Sequence, residues 1–303
     1  MVIFLNGILN ILKPPGMTSH DVVLVVRKQL NVKKAGHTGT LDPNAAGVLP
    51  VCVGQATKIS QYLLDSTKKY RAELTLGIET DTDDIYGTVK NRSSVIPAKG
   101  EIEKAVLGFI GTYNQVPPMY SAIKIRGKKL YELARKGIEI KRDSRTVTIY
   151  GIDIIEIKGN KVMFDILCSK GTYIRALCRD IGNMLGCGGT MSFLLRTKSS
   201  ELGLETAITM EELSEAKEVK SLLLPLDFPL KHMPKIIVKP ESIRQALNGN
   251  NIYSYCSING EKISSGTRVR IYIKKQFIGF GIVKCDNIDM NYIKVLKLLL
   301  ERE

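Results

Sequence analysis

Gly36-His37-Thr38-Gly39-Thr40-Leu41-Asp42-Pro43-Asn44-Ala45-Ala46-Gly47-Val48-Leu49-Pro50 is the stretch on which the reading of this chain turns. From Gly36 onward, Asp42 is the only formally charged residue before Lys58. Glycines at 36, 39, 47 and 54 let another chain approach closely, since none carries a Cβ. One carboxylate set among small residues fits a site for a bulky substrate. A purely structural alternative stands beside it: Asp as N-cap with Pro at the first helical position makes Asp42-Pro43 a helix start.

Around this stretch, composition narrows the field. A chain of 303 residues has room for a large domain and a smaller one, and 44% apolar residues support a full core. The net charge of +14 points to a polyanionic partner. Cysteines at 52, 168, 178, 187, 256 and 285 form no Cys-x-x-Cys, and His20, His37 and His232 are too scattered for a zinc pattern. No metal is expected, and cysteines dispersed through apolar segments read as reduced and cytoplasmic. Met1 to Leu12 is apolar but has no basic leader or small-residue cleavage site. Lys13-Pro14-Pro15 ends it short of a membrane span, so it reads as a buried strand. Neither a phosphate loop nor a dinucleotide fingerprint occurs, so no cofactor is implied.

Thr18 and Asp21 have capping-box spacing ahead of the apolar residues of a helix. A second helix is expected over Ala56 to Leu64. Tyr70-Arg71-Ala72-Glu73-Leu74-Thr75-Leu76 alternates with period two, which turns Tyr70 to the buried side of a strand. Asp81-Thr82-Asp83-Asp84 lacks oxygen ligands at the later positions of a calcium loop and reads as a solvated loop. Ile102, Val106, Phe109 and Ile110 make a helical stripe. Residues 121–146 are strongly basic, with nine Lys or Arg against three acids, and include Lys128 and Lys129. Such a run is either a solvated surface or a phosphate-gripping one. Gly159-Asn160 marks a hairpin between two strands, and Ile174, Leu177, Ile181 and Leu185 mark a helix. Arg175 in that helix's first turn opposes the macrodipole by about 0.3–1 kcal/mol, which suggests a nearby negative partner. Prolines at 225, 229, 234 and 240 place a boundary near 231, dividing 1–230 from 231–303.

Residues 36–58, GHTGTLDPNAAGVLPVCVGQATK, closely resemble the active-site motif of the TruB-type pseudouridine synthases. These enzymes isomerise uridine-55 in the T loop of tRNA. Lys13-Pro14-Pro15-Gly16 matches the family's N-terminal motif, and Cys168 to Arg175 matches its Cys-Ser-Lys-Gly-Thr-Tyr-Ile-Arg motif. The resemblance implies Asp42 as nucleophile, Arg175 as its partner, and Tyr70 against the target base. It further implies that Tyr173 and Leu194 line the pocket and that His37 supports RNA where the flipped nucleotide has left its stack. Lys58, Lys128 and Lys129 are expected to contact the RNA, the last two from an insertion over about 117–146 that resembles the one in bacterial members. The implied fold is a mixed α/β catalytic domain with a large, mostly antiparallel sheet and a small C-terminal barrel of the PUA kind. A monomer acting on the tRNA T arm without membrane, cofactor or obligatory protein partner follows. Two other classes remain open: a tRNA-binding or folding protein with an idle site, and a subunit of a guide-RNA-dependent complex.

Overall fold

A computed structural model describes residues 5–64, 66–125, 127–257, 263–285 and 291–300. The first apolar run forms strand β1 (Gly7–Lys13), buried along nearly its whole length; Met1 to Phe4 lie outside the described residues. Thr18 caps helix α1 (Ser19–Gln29) in a capping box with Asp21. Val22, Val23 and Val26 of this helix pack on Leu9, Ile11, Leu49 and Val51. A β-branched residue costs a helix at most about 0.7 kcal/mol, while burying it gains about 1.5–3 kcal/mol. Packing wins over propensity.

Strands β2 (Ala35–His37) and β3 (Ala46–Val53) bracket the turn that carries Asp42. The expected second helix is a 3-10 turn (Gly54–Ile59) that continues into α2 (Ser60–Leu64). In β4 (Lys68–Leu76) the residues Tyr70, Ala72, Leu74 and Leu76 all face the core, as their alternation predicts. Helix α3 (Lys99–Leu107) buries Ile102 and Val106, but Ile110 lies past its end and is 47% exposed. After β5 (Gly111–Gln115), the basic insertion holds a hairpin of Lys124–Ile125 with Lys128–Lys129, then the short helix α4 (Leu130–Ala134). Arg126, part of the basic run, lies outside the described residues. Strands β6 (Arg145–Lys158) and β7 (Lys161–Cys168) turn at Gly159-Asn160, and helix α5 (Ile174–Met184) leads to β8 (Gly189–Ser199).

These strands form one nine-stranded sheet in the order β1-β3-β8-β4-β7-β6-β5, with β2 beside β3 and Leu202–Gly203 beside β8. Every pairing is antiparallel except β3 with β8. That parallel seam sets Gly47 opposite Arg196. Gly47 has φ +125°, and a Cβ there would lie 2.3 Å from the Arg196 carbonyl oxygen. Only glycine closes the seam. Helices α3 and α5 cover the Tyr70 face, where Ala72, Leu74, Phe164, Ile166, Leu177 and Ile181 make the main core.

Beyond residue 231 come β9 (Lys235–Val238), α6 (Ile243–Leu247), β10 (Tyr255–Ser257), β11 (Arg268–Ile273), β12 (Gln276–Cys285) and β13 (Asn291–Leu298). The strands form a separate five-stranded sheet, β10-β9-β11-β12-β13, with its own core of Ile236, Val269, Ile271, Val283 and Ile293. It is docked, not tethered. Phe280 and Leu299 pack with Ile59 and Leu63, and the Tyr62 ring meets Phe280 edge-on at 4.7 Å. Arg270 donates to Asp227 in the connecting segment at 2.8 Å, and the Tyr272 hydroxyl donates to the same carboxylate. Among the described residues no helix is long and apolar enough to cross a membrane.

Candidate active site

Asp42 lies in a turn, with Ala45 N–H donating to its carbonyl at 3.1 Å, so the helix-start alternative is not realised. The residues on either side are anchored. Ser19 Oγ accepts from Leu41 N–H at 2.8 Å, and Pro43 O accepts from Lys13 Nζ at 3.0 Å. Lys13 is fully buried and directs its other donors to Pro14 O and Met17 O, both at 2.7 Å. Burial pushes its ammonium down to about 8, while Asp42 nearby pulls the other way. Sequence reasoning noted the Lys-Pro-Pro-Gly turn but missed this role of Lys13. The available signal was a cation closing a strand that is apolar apart from Asn10.

Helix α5 brings Arg175 to Asp42. Its guanidinium grips both carboxylate oxygens, Nε to Oδ2 at 2.8 Å and Nη2 to Oδ1 at 2.9 Å. The remaining donors reach Thr82 O at 3.0 Å and Tyr120 O at 2.8 Å. Arg175 is 5% exposed and the Asp42 side chain 32%, so the arginine is the structural half and the carboxylate the accessible half. Breaking a buried pair by removing one partner costs about 3–5 kcal/mol. Even discounted for the exposure of Asp42, the pair outweighs the dipole penalty of a cation at a helix start.

The 81–84 loop is not the solvated excursion expected from its charge. Asp83 pairs with Arg179 at 2.8 Å, and Asp84 lies 3.8 Å from Arg175. Burial raises both carboxyls, an effect that Arg179 and Arg175 oppose. Sequence inspection tested these acids only as calcium ligands. Their actual partners are about ninety residues away, which no local pattern reports.

Above the Asp42–Arg175 pair opens a cleft of about 870 Å³. Tyr70, Tyr173, Leu194, His37 and Lys129 line it together with Asp42 and Arg175. Burial raises the Tyr70 phenol, and the Arg196 guanidinium beside it acts in the opposite sense. Arg196, which the sequence reading missed, is 1% exposed. It donates to Val48 O at 2.7 Å and Gly39 O at 3.1 Å, the two carbonyls that bracket the Asp42 turn. His37 is half-buried and its imidazole is pushed below the usual range, first by burial and then by Arg196 and His20. Gln115 holds the Tyr173 backbone at both N–H and carbonyl, at 2.8 and 3.1 Å. From the insertion, Tyr131 and Arg135 join Lys129 on the cleft wall. Lys128 and Lys58 do not; both are exposed outside it.

Fold and site together define a class: a mixed-sheet enzyme whose paired carboxylate sits at the floor of a nucleotide-sized cleft. Residues 27–174 match the TruB family pseudouridylate synthase N-terminal domain, and 175–231 match the tRNA pseudouridylate synthase B C-terminal domain. The chain is 65% identical over 299 residues to tRNA pseudouridine synthase B of Alkaliphilus oremlandii, covering 99% of this chain and 100% of that one. It is 48% identical to the protein of the same name from Clostridium kluyveri, covering 92% and 96%. Among solved structures it resembles the archaeal box H/ACA sRNP Nop10-Cbf5 complex, at TM-score 0.73 and 28% identity over 99% of this chain and 88% of that chain. A Cbf5-Nop10-Gar1 complex matches at TM-score 0.73 and 30% identity, over 97% and 85%. The chain belongs to the TruB family of pseudouridylate synthases.

Proposed function

We propose that this protein isomerises uridine-55 in the T loop of tRNA to pseudouridine, working as a cytoplasmic monomer without a cofactor. The observation that carries the reading is the two-point Asp42–Arg175 pair on the floor of a cleft that also presents Tyr70. The names of the full-length relatives support tRNA as substrate. In the reaction the N1–C1′ bond breaks, the uracil turns within the cleft, and C5 bonds to C1′. The proton leaves C5 and N1 ends protonated, so no oxidant or reductant is needed. Asp42 either attacks C1′ or takes the C2′ proton; a carboxylate serves both. Arg175 fixes its orientation through a planar fork. Tyr70 stacks on the base and helps remove the C5 proton after re-addition, passing its own phenolic proton on as it takes that one, while Leu194 and Tyr173 wall the ring.

The target must leave its stack, at a cost of about a few kcal/mol. His37 supports the RNA where the base has gone, and Lys129 with the rest of the basic insertion offsets the cost through phosphate contacts. Lys58 and Lys128, outside the cleft, contact the RNA backbone at longer range. The unit beyond 231 is a second RNA-contacting domain of the PUA kind.

A guide-RNA-dependent reading draws support from the likeness to Cbf5 complexes. Incubating purified protein with unmodified T-arm RNA alone and mapping pseudouridine separates the readings. Product at uridine-55 and at no other T-loop uridine is expected. Product only with a guide complex, or none with any tRNA, would overturn the proposal.

A further inference from the structure

Helix α5 begins with Tyr173 as its N-cap residue, and the Tyr173 side chain accepts no capping bond. The first backbone N–H groups of a helix have no partner within it. For Tyr173 the partner comes from β5, at the edge of the large sheet and 58 residues back in the chain. Tyr173 N–H donates to Gln115 Oε1 at 2.8 Å, and Gln115 Nε2 donates to Tyr173 O at 3.1 Å. The same nitrogen also donates to the Tyr113 hydroxyl. An amide both donates and accepts, so it pairs with Tyr173 as the backbone of a neighbouring strand would. Gln115 is buried, and a flipped amide would set N–H against N–H.

The clamp lies where it bears on the chemistry. Tyr173 and Arg175 are two residues apart at the start of α5, and both line the cleft. The chain leaving β5 is fastened to the same stretch of helix twice more. Tyr120 O accepts from Arg175 Nη2 at 2.8 Å, and Val116 O accepts from Arg179 Nη2 at 2.9 Å. Of these three attachments, only that of Gln115 is made by a side chain of the 115–120 segment. Gln115 itself does not line the cleft.

We propose that Gln115 is a positioning residue of the isomerisation, holding the Tyr173 backbone so that the first turn of α5 presents Tyr173 to the base and Arg175 to Asp42. The proposal rests on the isomerase reading and deepens it at that same site. Gln115 acts through Tyr173 and touches no reacting atom. Without its two bonds the turn shifts, and a misplacement of about 1 Å costs about 10²-fold in rate.

The test compares the single-turnover rate at saturating T-arm RNA with RNA affinity for wild type, Gln115→Met and Gln115→Glu. Asn114→Ala is the control on the same strand, because that side chain meets Thr146 and not α5. Gln115→Met keeps the size and loses the polar groups. Its rate should fall about 10- to 100-fold with affinity changed less, while Asn114→Ala stays near wild type. Gln115→Glu supplies a pH profile. As a neutral acid its carboxyl reproduces both bonds to Tyr173; once ionised it only accepts, and it then repels Tyr173 O. An ordinary glutamate titrates at about 4.3, and burial raises it. The charged neighbours oppose this little: Arg145, opposite on β6, is exposed, and Arg179 on α5 is engaged with Asp83 and Asp180. Burial keeps the Tyr113 phenol protonated. The ratio of variant to wild-type rate should therefore climb toward one as pH falls from about 8.5 to 5, which a mere loss of packing would not produce. A wild-type rate in Gln115→Met, or a ratio that is flat with pH, would overturn the positioning role. Wild-type product, measured in parallel, keeps the two ideas apart. Product with a flat ratio removes the role of Gln115 alone, whereas no product removes the reading beneath it.

Discussion

Asp42 and Arg175 are 133 residues apart and meet through two hydrogen bonds of 2.8 and 2.9 Å. Asp42→Asn keeps the shape and loses the charge. Because Arg175 keeps Thr82 O, Tyr120 O and nearby Asp84, the variant should fold and bind T-arm RNA. Its turnover should drop by at least about 10⁴-fold, as for other essential nucleophiles. Multiple-turnover product from it would refute the assignment. Arg175→Lys keeps charge but loses the fork, and a misplaced carboxylate should cost about 10²-fold in single-turnover rate; near-normal turnover would sink the two-point pair. His37 makes a pH prediction. Its folded pKa lies below the unfolded 6.5, so the folded state binds fewer protons there. Its contribution to stability is flat above 6.5 and is lost as pH falls below it. Melting temperatures of wild type and His37→Asn, compared at pH 7.5 and 5.5, should therefore converge or cross in favour of the variant at the lower pH. A constant difference would show that His37 does not titrate this way.

Among the elements, α5 and β8 matter most, since one carries Arg175 and the other carries Leu194 and Arg196. They meet at Gly182, where a Cβ would lie 2.1 Å from Gly189 N and 2.3 Å from Gly188 C. These neighbours are backbone and cannot rotate away. Gly182→Ala should cost about 1–3 kcal/mol of stability, the usual range for overpacking, read as a lower denaturant midpoint. Because the displaced helix carries Arg175, the single-turnover rate of the still-folded variant should fall too. An unchanged midpoint would mean that α5 has slack against the strand. Much of this scale was legible beforehand: the capping box at Thr18, the alternation of β4 and the Gly159-Asn160 hairpin are local patterns. Ile110 was misread because the helix stops at Leu107, short of it, and the 81–84 loop because its burial is decided by remote partners.

For the whole molecule, the +14 net charge acts through position. Lys129 and Arg135 flank the Tyr131 ring at 5.3 and 5.5 Å and face the cleft, whereas Lys128 points to solvent. Each phosphate neutralised by a cation releases counterions, so affinity should fall linearly with log salt. Lys128→Gln/Lys129→Gln should weaken binding and make the slope shallower, by up to about 0.7–0.9 for each phosphate left without its lysine. The rate at saturating RNA should change less than the affinity. An unchanged slope would return the hairpin to ordinary solvated surface.

The motif around Asp42, the Cys168–Arg175 motif and the periodicity of the main strands were written in consecutive residues. From them the family, the mixed fold and five of the cleft-lining residues, His37, Asp42, Tyr70, Tyr173 and Arg175, could be read, because local patterns and long motifs survive without knowledge of contacts. The partnerships were not so written. Lys13 beneath Pro43, Arg196 across the seam at Gly47, Asp84 beside Arg175 and the bridge of Asp84 to Met191 join segments from 30 to more than 140 residues apart. Tertiary structure also separates Lys129 on the cleft wall from Lys128 and Lys58 outside it: all three are cations in basic or motif-bearing sequence. Which cation faces the substrate depends on strand register and loop closure, and those are settled only when the sheet forms.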